Sequence, residues 1–230
     1  MFEEKTIAFI PARGGSKRLP GKNLKSFLGN PLLYYSIDFA KKANLFEEIV
    51  LSSDEITILS YGKQQGINAM QRPPELSGDH ATTASAATFT LQQAEEASGQ
   101  TFDFFVTLQP TNPLRSLKIL TKALTILSTG TYDSVITVSK NHKKFGTIDN
   151  NQFTAANYSP GQRSQDVKEL YFENGMLYCT RCELVRKGEL FGEKVYPLIT
   201  DDVFGMIDID TQFDFEVAEL LYNQYHHKIN

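Results

Sequence analysis

Short apolar runs bounded by turn residues alternate here with segments whose apolar residues recur at helical spacing, and this alternation restricts the fold more than any other feature. Ile7-Ala8-Phe9-Ile10, Ile49-Val50-Leu51, Phe104-Phe105-Val106-Thr107-Leu108 and Ser134-Val135-Ile136-Thr137-Val138 read as strands buried on both faces. Between them, Leu32 to Ala43, Glu55 to Gln65, Thr82 to Ala97 and Ser116 to Ser128 carry the period of amphipathic helices. A strand-helix-strand-helix order predicts an α/β fold: a doubly wound, mostly parallel, Rossmann-like sheet with right-handed crossovers. Such sheets bind ligands at the C-terminal ends of their strands, where the loops after Ile10, Leu51 and Leu108 collect.

The first of those loops is chemically distinct. From Pro11 to Lys25 it holds five cations, Arg13, Lys17, Arg18, Lys22 and Lys25, with no acid, and is broken by Gly14-Gly15 and Pro20-Gly21. Glycines let backbone N–H groups approach an anion and the cations neutralise it, so the loop reads as a polyphosphate cradle. It is not a P-loop, because five residues separate Gly15 from Gly21 and Asn23 follows Lys22 where Ser or Thr is needed. Nor does Gly14-Gly15-Ser16-Lys17 supply the third glycine of a dinucleotide fingerprint.

The net charge of −4 makes that basic cluster local, and argues against a nucleic-acid binder, which shows a broad basic face. The apolar runs are shorter than a bilayer span, and Met1-Phe2-Glu3-Glu4-Lys5 lacks the basic start of a signal peptide, so a cytoplasmic protein with no membrane partner is expected. Cys179 and Cys182 form a single C-x-x-C with no second pair and no histidine at ligand spacing, so two reduced, partly buried thiols are expected instead of zinc or a redox couple.

A second chemical feature is Ile207-Asp208-Ile209-Asp210. On an extended strand Asp208 and Asp210 share a face while the isoleucines enter the core, which suits a Mg²⁺ ion completed by water and phosphate oxygens. The alternative is that Asp210 caps the final helix, expected over Asp210 to Gln224, although Thr211 could do so as well. Gln109-Pro110-Thr111-Asn112-Pro113 is either a stiff polar turn that reads a hydroxyl-rich ligand or a plain connection. Arg72-Pro73-Pro74 and Asp79 to Thr83 are an ordinary loop and helix cap except for their place after a strand. From Lys140 to Gln165 the alternation weakens, predicting an excursion; pairing resumes over Tyr171 to Thr180, and Glu183 to Pro197 reads as a small lobe or dimer arm. One domain over residues 1–230 is expected, with the excursion around 140–200.

With these residues assembled, the chain resembles the acylneuraminate cytidylyltransferases, the CMP-sialic acid synthetases. The resemblance rests on Ile10-Pro11-Ala12-Arg13-Gly14-Gly15-Ser16-Lys17 with Leu19-Pro20-Gly21-Lys22-Asn23, on Ser52-Ser53-Asp54, and on Arg72-Pro73 with Glu75-Leu76. It continues in Leu108-Gln109-Pro110-Thr111-Asn112-Pro113-Leu114-Arg115, Glu173-Asn174-Gly175 before Tyr178, and Ile207-Asp208-Ile209-Asp210. It implies a nucleotidyltransferase fold and attack by the anomeric hydroxyl of an acidic nine-carbon sugar on the α-phosphorus of CTP. Arg13, Lys17, Lys22 and Asn23 would then hold triphosphate and ribose; Arg72, Asp79 and Thr83 would surround the cytosine; Gln109, Asn174 and Tyr178 would meet the sugar. Asp208 and Asp210 would bind Mg²⁺ and orient the attacking hydroxyl, so the resemblance makes Arg13, Lys22 and this pair the catalytic set. Arg163 would reach the sugar carboxylate across a homodimer interface.

Two departures bear on the sugar: Ser164 stands where relatives carry arginine, and Lys140 to Phe145 has no clear counterpart. Legionaminate, pseudaminate and the eight-carbon KDO are therefore rival substrates, and a catalytically inactive nucleotide-binding module is the rival of another class.

Overall fold

The computed structural model describes residues 3–78, 81–200 and 203–226. In chain order its elements are β1 (Thr6–Pro11), β2 (Ser26–Phe27), β3 (Asn30–Pro31), α1 (Tyr34–Ala43), β4 (Glu48–Ser53), α2 (Ile56–Gln64), β5 (Asn68–Gln71), α3 (Thr83–Ser98) and β6 (Phe104–Thr107). They continue with α4 (Leu117–Ser128), β7 (Ser134–Asn141), β8 (Gly146–Asp149), β9 (Gln152–Ala155), β10 (Leu170–Arg181), α5 (Cys182–Val185), β11 (Val195–Ile199) and α6 (Gln212–Tyr225).

Seven strands form one sheet in the order β11-β7-β10-β6-β1-β4-β5. All pairings are parallel except those of β10, which runs antiparallel to both β6 and β7. The strand order reverses at β1: β4 lies on one side and β6 on the other, making a topological switch point where such sheets bind ligands.

Alternation along the strands sorts the side chains into two layers. Ala8, Ile10 and Val106 pack with Ile37 of α1, Ile58 of α2 and Leu120 and Leu124 of α4. Ile7, Phe9, Val50 and Phe105 face the other way onto Ala87 and Leu91 of α3 and Val185 of α5. A third cluster seats α6 through Phe215 and Ala218 against Phe27, Met176, Ile207 and Ile209. The doubly wound sheet is thus as expected, and among the described residues no helix is long and apolar enough to cross a membrane.

Three local expectations are corrected. Glu183 to Pro197 is neither lobe nor arm: after α5 the chain returns to the main sheet as its edge strand β11. The excursion is an exposed hairpin, β8 with β9, reached by β7 and left by β10. Both cysteines are fully buried, because Cys179 near the end of β10 packs into one core layer and Cys182, the first residue of α5, packs into the other, and burial raises both thiols well above their ordinary range.

Candidate active site

A cleft of about 620 Å³ opens at the switch point. Its walls are the loop after β1, the segment after β5, the turn after β6 and the stretch preceding α6. Arg13, Lys17, Lys22, Asn23, Arg72, Thr83, Gln109, Asp208 and Asp210 all line it.

The basic loop is shaped from both ends. Gly14 donates its N–H to Asp54 Oδ1 at 3.0 Å, and a Cβ on Gly14 would stand 2.8 Å from that of Glu55, so this glycine is needed for the loop to lie against the end of β4. Gly21 adopts φ +67° to begin the 3-10 turn Lys22–Leu24. The Asn23 amide reaches back to the Arg13 carbonyl at 2.9 Å, closing the loop on itself. Lys22 is buried, and its ammonium donates to the Ile209 carbonyl at 2.8 Å and to Asp210 Oδ1 at 2.9 Å.

Residues 207–210 lie outside the sheet, yet keep the predicted alternation: Ile207 and Ile209 are buried, while Asp208 and Asp210 face the cleft. The Ile209 N–H donates to the Thr111 carbonyl at 2.8 Å, tying the segment to the turn after β6. Capping of α6 falls to Thr211, in a reciprocal box with Asp214, which leaves Asp208 and Asp210 without that duty. Asp210 sits between Arg18, 2.5 Å away, and Lys22. Burial, then repulsion from Asp210, raise the Asp208 carboxyl, against a Thr111 hydrogen bond and the charges of Lys22 and Arg18. Two cleft-facing carboxylates that repel each other beside a cluster of cations are a donor set that fits Mg²⁺, which takes one or two carboxylates and fills its octahedron with water and phosphate. Among the described residues no cluster of three or more acidic, histidine or cysteine ligands exists.

At the other end of the cleft Arg72 extends the ladder by donating its N–H to the Ser53 carbonyl, and its guanidinium is buried. Burial lowers its pKa, Asp54 opposes that and Arg13 adds to it. Among the described residues its Nε has no partner, so a buried donor is left over beside the cleft. Thr82, the N-cap of α3, and Thr83 bring that helix start to the same wall. Asp79 lies outside the described residues.

Gln109 lines the cleft beside Gly175, whose φ of +72° and whose absent Cβ, 3.2 Å from Gln109 Oε1, leave room for the glutamine. Arg163, Asn174 and Tyr178 do not line the cleft. Arg163 is exposed in the excursion and forms a two-point ion pair with Asp166. Asn174 is buried, and its amide donates to Ser139 Oγ at 2.9 Å and Thr200 Oγ1 at 2.6 Å, which commits it to the protein interior. Tyr178 packs on Phe191 and donates to Glu173; burial, helped by Glu173 and Asp208, pushes its hydroxyl up to about 12. Arg18, Thr111 and Asp54 also shape the site, Arg18 by pairing with Asp210, the Thr111 carbonyl by accepting from Ile209 and Asp54 by accepting from Gly14. Their signal was present, Arg18 in the basic run and the other two in quoted motifs, but their partners lie too far along the chain to read from sequence.

A sequence model described as cytidylyltransferase matches residues 7–227. The N-acylneuraminate cytidylyltransferase of Streptococcus agalactiae is 31% identical over 219 residues, covering 92% of this chain and 52% of that protein, so the chain spans about half the length of this relative. The pseudaminic acid cytidylyltransferase of Campylobacter jejuni is 31% identical over 242 residues, 96% of this chain and 98% of that one. A solved CMP:2-keto-3-deoxy-manno-octonic acid synthetase complexed with CTP superposes with TM-score 0.69 at 15% identity, covering 96% of this chain and 99% of that one. With a match running nearly end to end over a fold whose cleft carries the expected basic loop, the chain belongs to the cytidylyltransferase family.

Proposed function

We propose that the chain transfers CMP from CTP to the anomeric hydroxyl of an acidic nine-carbon sugar of the N-acetylneuraminate type, releasing pyrophosphate. The observation that carries this reading is the convergence of the Arg13 to Lys22 cations and the Asp208–Asp210 pair on one cleft at the switch point. Membership of a family that includes the streptococcal and Campylobacter enzymes supports it.

In this reading the sugar oxygen bonds to the α-phosphorus, the bond to the pyrophosphate oxygen breaks, and the hydroxyl proton leaves to solvent or a cleft carboxylate. Arg13, Lys17 and Lys22 neutralise the triphosphate, which positions it and stabilises the charge that grows on the leaving group. Lys22 and Arg18 pass from Asp210 to phosphate oxygens as the nucleotide enters. Mg²⁺, held by Asp208 and Asp210, would supply Lewis-acid polarisation of the phosphate. Asn23 keeps the loop closed, Arg72 offers its spare donor to the cytosine with Thr83 on the same wall, and Gln109 faces the sugar.

The finer parts of the proposal are a homodimer and a cytoplasmic location, where CTP is made. Ile148 and Phe153 stand opposite each other on the β8–β9 hairpin and are 76% and 57% exposed, an apolar face suited to a second copy of this chain. Arg163 would serve the partner's cleft from the same excursion, with Tyr178 and Asn174 shaping the sugar side from within. The test is pyrophosphate release with CTP against a panel of nonulosonic acids. Release with N-acetylneuraminate as the best acceptor is expected; preference for pseudaminate, the sugar in the Campylobacter relative's name, would change the substrate, and silence with every acid would end the proposal.

A further inference from the structure

Three segments meet behind the cleft wall without a continuous ladder between them: the turn Gln109 to Arg115, the part of β10 where pairing with β7 shifts between Glu173 and Tyr178, and the stretch leading to Asp208. Two buried side chains make most of the junction. Asn112, with no exposed surface, donates through Nδ2 to the Asn174 carbonyl at 2.8 Å and the Ile207 carbonyl at 2.6 Å. Among the described residues its Oδ1 accepts nothing, so the amide is turned wholly to donation; the opposite orientation would set its oxygen against two carbonyls.

Arg115 does the same for the neighbouring peptides. It is 4% exposed and donates Nε to the Met176 carbonyl, Nη2 to the Gln109 carbonyl and Nη1 to Ser36 Oγ at 2.9 Å. Among the described residues no carboxylate pairs with it. A buried cation spent on neutral acceptors is costly, and only a forked, rigid donor set reaches three of them at once.

The peptides so held belong to site residues. The Ile207 carbonyl shares its peptide plane with the Asp208 nitrogen, and the Gln109 carbonyl belongs to the residue facing the sugar side of the cleft. We propose that Asn112 and Arg115 are positioning residues, a clamp that sets Gln109 and Asp208 relative to each other from behind the cleft wall. One nitrogen with two hydrogens is what bridging two carbonyls requires; serine has one and aspartate none.

Amide exchange followed by mass spectrometry, with pyrophosphate-release kinetics, tests this in the full chain with Asn112→Ser, Asn112→Leu and Arg115→Lys. Exchange over 204–211, which includes the Ile209 amide, should quicken about tenfold or more in the Asn112 variants, while residues 11–25 stay as in the wild type. The kcat should fall about tenfold with the CTP KM within about twofold, since the triphosphate loop is untouched. Native exchange and native kcat in folded Asn112→Ser would overturn the clamp, and so would exchange raised evenly over the whole chain, which marks a general structural role. The kinetic arm alone rests on the proposed function: a wild type releasing no pyrophosphate would defeat that reading and leave the exchange result to decide the clamp.

Discussion

The Lys22 ammonium lies 2.9 Å from Asp210 and 2.8 Å from the Ile209 carbonyl, so one buried side chain joins the basic loop to the carboxylate segment 187 residues away. Replacing it with methionine keeps the volume and removes both bonds and the charge. Lys22→Met should lower kcat/KM for CTP by about 10²–10³, the scale of losing one preorganised charge-stabilising donor. Steady-state kinetics checks it, and a loss under threefold would move Lys22 out of the site.

Asp208→Asn should abolish most turnover at any Mg²⁺ concentration while making the protein slightly more stable at neutral pH. The sign follows from the raised carboxyl: the folded state disfavours the ionised form, so that cost is present above the raised pKa and disappears as pH falls through it. The variant's advantage in thermal midpoint should therefore shrink on acidification. Equal midpoints at pH 7 would count against the repulsion from Asp210.

Glu95 supplies the opposite sign far from the cleft. Burial alone would raise its carboxyl, but Arg186 and the Phe102 N–H, both bonded to it, outweigh that and hold it below the ordinary range. Its contribution is present above the unfolded-state pKa and lost as pH falls through the lowered one. Glu95→Gln should cost about 1 kcal/mol at pH 7, the partial exposure of Arg186 keeping the figure small, with the two proteins converging in denaturant titrations once the pH falls below the lowered pKa.

Gly62 sits on α2 where an added Cβ would lie 2.5 Å from Leu51 Cδ2 and 3.3 Å from Ala69 Cβ. Alanine is the better helix former, yet here overpacking wins, and Gly62→Ala should destabilise by about 1–3 kcal/mol in chemical denaturation. A stabilised variant would mean that β4 and α2 can separate without cost.

If the hairpin carries a dimer, Ile148→Asp should shift sedimentation to the monomer, and Arg163→Ala should raise the sugar KM about tenfold while the CTP KM stays within twofold. Equal effects on both substrates would remove Arg163 from the sugar site.

Strands with uninterrupted apolar runs, such as Phe104–Thr107, were legible in the sequence because burial on both faces demands that composition. Strand β11 was not, since Val195–Ile199 carries a proline and only its position at the sheet edge tolerates one. The hairpin before β10 did carry a local signal, the two-residue loop Asn150-Asn151 with both residues at positive φ, whereas the antiparallel direction of β10 depends on pairing with distant strands. The same division holds in the cleft. Basic loop and paired aspartates stood out as local patterns, whereas the inward commitment of the Asn174 amide depends on Ser139 and Thr200, which only folding brings near.

That proline also limits how the sheet can grow. The Thr200 N–H donates to the Val138 carbonyl, so alternation turns Leu198 and Tyr196 toward β7 and Pro197 outward. The free edge of β11 thus offers no N–H at its midpoint, where an incoming strand would need one. Stacking of chains edge to edge, the first step toward fibrous aggregates, is blocked there by a single pyrrolidine ring.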